Sequence, residues 1–144
     1  IDPKDDHAVS PLIATIKRTE SLNRVCVGAF SDERLKRVRA AFDGKLCTSM
    51  GPSEVRRLYF SKFFLPVGHF DAACAQIPER HGDRYALVDR WSVASAHRKK
   101  LQVHVWTISE QADIERLIDL GVDGLVTDRP TLLRDILIKR GLWG

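Results

Sequence analysis

The sequence predicts an α/β protein built around a parallel sheet, and three observations carry that expectation. Short apolar runs alternate with amphipathic stretches from one end of the chain to the other. Several runs are continuously apolar, as strands covered on both faces require. The stretches between them open on helix-capping residues and stop at glycines. Strict alternation of strand and helix implies right-handed crossovers between parallel strands. An open doubly wound sheet and a TIM (β/α)8 barrel both satisfy this pattern. At 144 residues the chain is short of the roughly 250 that a complete barrel takes, so a barrel reading requires about two further strand–helix units.

Taken in order, residues 1–4 form a short strand-like start. Ser10 and Pro11 fit the N-cap and first turn of a helix on which Leu12, Ile13 and Ile16 share a face. The run at 24–30 reads as a strand, and Ser31 or Asp32 can cap the helix carrying Leu35, Val38 and Phe42. A strand at 45–50 precedes a helix opened by Pro52, with Val55, Leu58 and Tyr59 as its stripe. The run at 72–77 is the next strand, followed by a shorter helix over about 92–100. The strand at 101–108 leads to a helix capped by Ser109, carrying Ile114, Leu117 and Ile118 and ending at Gly121 in the left-handed conformation. The run at 124–127 precedes a last helix with Leu132, Leu133, Ile136 and Leu137 that stops at Gly141. These make six strand–helix units.

Composition narrows the function classes. With 44% hydrophobic residues, the chain can bury a core and lacks the signature of disorder. No apolar run approaches the roughly 20 residues of a membrane span, and no secretory leader is visible at Ile1. The net charge of +4 suits an anionic substrate. Arg34, Lys36, Arg37 and Arg39 lie on a helix without interleaved aromatics, which favours a solvated face over a nucleic-acid patch. Cys26, Cys47 and Cys74 each lie in an apolar run without a zinc-binding spacing, so buried thiols in a reducing, cytoplasmic setting are expected.

The C-terminal third carries a more specific signal: Val103-His-Val-Trp-Thr-Ile108, then Gly121-Val-Asp-Gly-Leu-Val-Thr-Asp-Arg-Pro130. This resembles the last two strands of the glycerophosphodiester phosphodiesterase family. Gly28-Ala-Phe30 resembles the family's fourth strand, and Asp2-Pro-Lys4 its acidic-x-Lys motif on the third. The resemblance implies a TIM barrel whose third to eighth strands lie in this chain, with residues 1–144 as the C-terminal portion of a single barrel domain. It also implies hydrolysis of glycerophosphodiesters to an alcohol and glycerol 3-phosphate, assisted by a divalent metal, Mg²⁺ or Ca²⁺.

Within that resemblance, Asp2 stands at a metal-ligand position and Lys4 at a catalytic one. Residues two apart on a strand point the same way, so a carboxylate for a hard cation and an ammonium for phosphoryl charge can share a face. Asp replaces the more usual Glu, shortening the ligand by one methylene. Gln76 and Trp106 are expected to contact substrate. His104 reads as a satisfied interior histidine, and Asp123 and Asp128 as turn or capping residues rather than metal ligands. The family's first-strand His-Arg, second-strand Glu and Asp ligands and second catalytic histidine have no counterpart in this numbering. His7, His69, His81, His97 and His104 take none of these roles. The missing N-terminal part of the barrel is therefore an expected partner, and the chain alone is expected to be inactive. The rival expectation is a non-catalytic truncated or binding domain on the same fold.

Overall fold

The computed structural model describes residues 1–61, 67–81 and 85–144, with the backbone alone at His81 and Tyr85. The chain is α/β and divides into two compact units, 1–75 and 76–144.

In the first unit, α1 (Val9–Arg18), β1 (Cys26–Val27), α2 (Asp32–Ala40), β2 (Cys47–Thr48) and α3 (Pro52–Ser61) follow in turn. The strands pair in parallel, Cys26 against Cys47 and Val27 against Thr48, and Ser49 bridges Cys74 at the start of β3 (Cys74–Pro78). Val9, Ile16, Val27, Val38 and Leu46 form a core on which Leu12, Ile13, Leu22, Val25 and Phe42 pack. The apolar faces predicted for the first two helices thus meet the outer side of β1.

Beneath β2 lies a charged network. Arg39 Nη2 meets Glu54 Oε2 at 2.8 Å, its Nε donates to Thr48 Oγ1, and Nη2 also donates to the Ser49 carbonyl. Glu54 accepts in turn from the Gly51 and Asp71 amides. Charges taken this far from water persist when paired and hydrogen-bonded, and here the network fixes the end of β2 relative to α2 and α3.

Several expectations change. Residues 1–4 form no regular strand: the Ile1 nitrogen donates to Cys26 O and Gly28 N to Ile1 O, but Pro3 has no N–H with which to extend the ladder. Ser10 lies inside α1, not at its cap. Ala8 holds the N-cap without a side-chain bond, while Asp5 Oδ1 accepts from the His7 and Ala8 amides just ahead of it. Pro11 does fall in the first turn, where a missing donor costs nothing. Ser31 caps α2 as expected, its Oγ accepting from Arg34 N. Of the three cysteines expected to be buried, Cys74 is buried and Cys26 partly so, but Cys47 is exposed. It pairs with Cys26 on the side of the strands away from the helices, so its apolar run does not cover it.

The second unit holds residues 76–78 of β3, a hairpin of β4 (Arg80–His81) and β5 (Tyr85–Ala86), then α4 (Arg90–Arg98), β6 (Gln102–Trp106), α5 (Gln111–Asp119), β7 (Gly124–Leu125) and α6 (Pro130–Lys139). The strand order is β3-β6-β7, with His104 opposite Gly124 and Val105 opposite Leu125. Two-residue strands give no periodicity to read, so the hairpin leaves no mark in the sequence pattern. Asp89 begins α4 earlier than expected, through a capping box in which its side chain accepts from Ser92 N and Ser92 Oγ accepts from Asp89 N. Ser109 does not cap α5. Glu110 takes that place, and Ser109 Oγ accepts from Asp128 N instead. Gly121 and Gly141 end α5 and α6 at φ +82° and +68°, as the stop signals required. Among the described residues no helix is long and apolar enough to cross a membrane.

Candidate functional site

In the first unit the Asp2–Lys4 pair is assembled by backbone alternation. Pro3 is buried while its two neighbours are exposed. The neighbouring side chains therefore share a side, and Lys4 Nζ donates to Asp2 Oδ2 at 2.5 Å. Lys4 remains 79% exposed and Asp2 36%, so each can exchange its partner for an incoming ligand at little cost.

The segment bearing this pair is held by a residue of a helix whose sequence reads as a solvated face. Arg34, on α2, donates to the carbonyls of Pro3 and Lys4 through Nη1 and to Asp6 Oδ1 through Nε. Its guanidinium holds the Asp6 carboxyl below the usual carboxylate range. No local pattern marks this role, because the carbonyls it serves are thirty and thirty-one residues upstream. Arg34 is best described as a positioning residue.

In the second unit Gln76 and Trp106 stand with a residue not expected to join them. Along β6, Val103 and Val105 are buried, while His104 and Trp106 are half-buried on the opposite side. Gln76 Nε2 lies 3.4 Å from His104 Nδ1, so Gln76 donates when that ring nitrogen is unprotonated. His104 is satisfied, as predicted, but its partner is one of the two predicted substrate contacts. Gly124 makes room for the ring: a Cβ there would lie 2.8 Å from His104 Cδ2. The period-two alternation placing His104 with Trp106 was available in the sequence.

Asp123 takes the structural role expected of it. Its Oδ2 accepts from Val103 N at 2.7 Å and lies 2.9 Å from His97 Nε2. Burial alone would raise its pKa, but the Val103 amide and the two nearby histidines, His97 and His104, outweigh burial and hold it below the usual range. Asp128 sits in the turn where Arg129 N donates to Thr127 Oγ1. Among the described residues no three His, Cys, Asp or Glu side chains gather closely enough to hold a metal ion. Asp2 is a single carboxylate facing an ammonium, so the described residues do not by themselves fit a divalent cation.

The glycerophosphoryl diester phosphodiesterase family matches residues 48–132, more than half the chain. The chain belongs to that family. A family relative in Mycobacterium tuberculosis, "Probable glycerophosphodiester phosphodiesterase 2", is 33% identical over 99% of this chain and 56% of its own length. The human "Lysophospholipase D GDPD1" is 46% identical over 37 residues, 26% of this chain and 12% of that protein. Among solved structures, a Silicibacter pomeroyi protein assigned as a glycerophosphoryl diester phosphodiesterase superposes with a TM-score of 0.74 at 27% identity, covering 99% of this chain and 51% of that one. A Parabacteroides distasonis glycerophosphodiester phosphodiesterase shares the fold at a TM-score of 0.68 and 18% identity, covering 97% of this chain and 56% of that one. The chain thus spans about half the length of the phosphodiesterase relatives that it matches along its whole course. The family match includes Gln76, Trp106 and the Gly121–Pro130 motif but begins after Asp2 and Lys4.

Proposed function

We propose that this chain is part of a metal-dependent phosphodiesterase that hydrolyses glycerophosphodiesters to an alcohol and glycerol 3-phosphate. The family match over residues 48–132 carries this reading. The fold goes with it: the chain supplies about six strand–helix units of a single TIM barrel, completed by sequence outside these residues.

Each residue then has a task set by its chemistry. Lys4 is the catalytic cation, placing its ammonium against phosphoryl oxygens that gain charge as the diester bond breaks, and to do so it leaves Asp2. Asp2, freed, offers one oxygen to a Mg²⁺ or Ca²⁺ ion whose other ligands lie outside this chain; such an ion supplies charge stabilisation at phosphate. Gln76 binds substrate through its amide oxygen, which can accept from a glycerol hydroxyl while its Nε2 is held by His104. Trp106 walls the substrate pocket. The setting we favour is cytoplasmic.

The test is release of glycerol 3-phosphate from glycerophosphocholine. The complete protein should turn over with Mg²⁺ or Ca²⁺ and stop with EDTA. Residues 1–144 alone should act no faster than background, since absent general acid/base groups cost about 10²–10⁴-fold. Metal-dependent turnover by the 144 residues alone would overturn the assignment of the missing histidines, and an inactive complete protein would favour a binding domain on the same fold.

A further inference from the structure

His104 touches a substrate contact, and the direction of that touch has a chemical consequence. Gln76 Nε2 lies 3.4 Å from His104 Nδ1. Gly124 leaves the ring its space, since a Cβ there would lie 2.8 Å from Cδ2 and 3.5 Å from Nε2. An amide nitrogen only donates, so this contact needs Nδ1 unprotonated. With Nε2 committed to the ring, Oε1 is the end of the Gln76 amide left for substrate.

We propose that His104 is a positioning residue that decides which end of the Gln76 amide meets substrate, and thereby sets the site's preference for a hydrogen-bond donor. On the phosphodiesterase reading, on which this inference rests, the group opposite Gln76 belongs to glycerol. While Nδ1 is bare, Oε1 requires a donor. A glycerol hydroxyl supplies one, whereas an ether or ester oxygen in its place leaves two acceptors facing each other. Once Nδ1 takes up a proton, both ring nitrogens donate, and the amide must turn to give Oε1 to the ring and Nε2 to substrate. A hydroxyl donates or accepts and so pairs in either state. An acceptor-only group pairs in the second state alone.

Histidine side chains change charge between about pH 5 and 8. The site should therefore reject O-alkylated or O-acylated glycerol in the upper part of that range and tolerate it in the lower part. From β3 the ring faces the uncharged Gln76. Beside Gly124 of β7, Asp123 is the charged group whose carboxyl feels His104 and His97 together. Asp123 is already engaged by Val103 N and His97 Nε2, so His97 is the second histidine to be separated from His104 by experiment.

The test follows kcat/KM of the complete protein for glycerophosphocholine and for its di-O-methyl ether from about pH 5 to about pH 8. A phosphodiester and a quaternary ammonium keep their charges across this range. The ratio of the two values divides out groups that serve both substrates, and the bulk of the methyl groups enters equally at every pH. The ratio should fall roughly tenfold as pH is lowered through the range. It should be flat in His104→Asn and fall as in wild type in His97→Gln. In parallel, the Gln76 side-chain amide resonances, assigned by their loss in Gln76→Glu, should move with pH in wild type and not in His104→Asn. That arm needs no turnover, so a complete protein inactive on every diester would sink the phosphodiesterase reading while the spectrum still judged the amide. A flat wild-type ratio, a fall that persists in His104→Asn or vanishes in His97→Gln, or Gln76 resonances unmoved by pH would each overturn the proposal.

Discussion

Among the ion pairs of the first unit, two are built to opposite ends. Arg39–Glu54 sits under β2 with side chains 17% and 9% exposed, and both side chains have further hydrogen-bond partners. Asp2–Lys4 lies in the open, with Lys4 Nζ donating to Asp2 Oδ2 across an exposed surface. The same chemical types therefore do different work. The enclosed pair cannot let go without stranding a charge, whereas the open pair loses little by separating. A charge required to meet a phosphodiester belongs to the second kind.

The sharpest way to break this contrast is to remove one member of each pair. Glu54→Ala should cost about 3 kcal/mol of stability by urea unfolding, because Arg39 is left uncompensated. Replacing both partners, Arg39→Met with Glu54→Leu, should recover much of that loss. In the complete protein Lys4→Ala should leave the unfolding midpoint almost unchanged while lowering kcat about 10²-fold. A loss of stability matching that of Glu54→Ala would place Lys4 among the structural charges. Asp2→Ala should act more mildly, raising the metal concentration needed for half-maximal rate with little change at saturation. Equal metal titrations for variant and parent would remove Asp2 from the proposed site.

The smallest effect belongs to Asp123. Its folded-state pKa is depressed, so its contribution is present above the unfolded value of about 3.9 and is lost as pH falls through the folded one. Asp123→Asn should therefore flatten the acid limb of the stability curve below about pH 4 while changing little near neutrality. Unfolding midpoints measured across that range check the sign.

The sequence spoke most clearly where a local rule settles the outcome. Ser31 caps α2, Pro52 opens α3, and Gly121 and Gly141 take positive φ because each decision is made within one turn of chain. It spoke less clearly where distant atoms compete. Ser109 looks like a cap, but Asp128 N claims its hydroxyl. Cys47 sits in an apolar run, but exposure depends on which side of β2 it faces. Residues 1–4 look like a strand, and Pro3 withholds a donor. For the candidate site, alternation across Pro3 brought Asp2 and Lys4 together as expected. Arg34 and His104 were harder to see, since each acts on residues more than one element away.

The fit of His104 against Gly124 has a consequence for how the sequence can drift. The ring occupies the space that a Cβ at 124 would need, so the two positions form a lock in which either order of change matters. A lineage that first replaces His104 by a smaller residue frees position 124 to accept alanine, at the cost of loosening Gln76. A lineage that changes Gly124 first must push the imidazole aside while Gln76 still depends on it. Gly124 would then persist through a neighbour's bulk rather than through any turn of its own, and a survey of relatives should find the two positions changing together, position 104 leading.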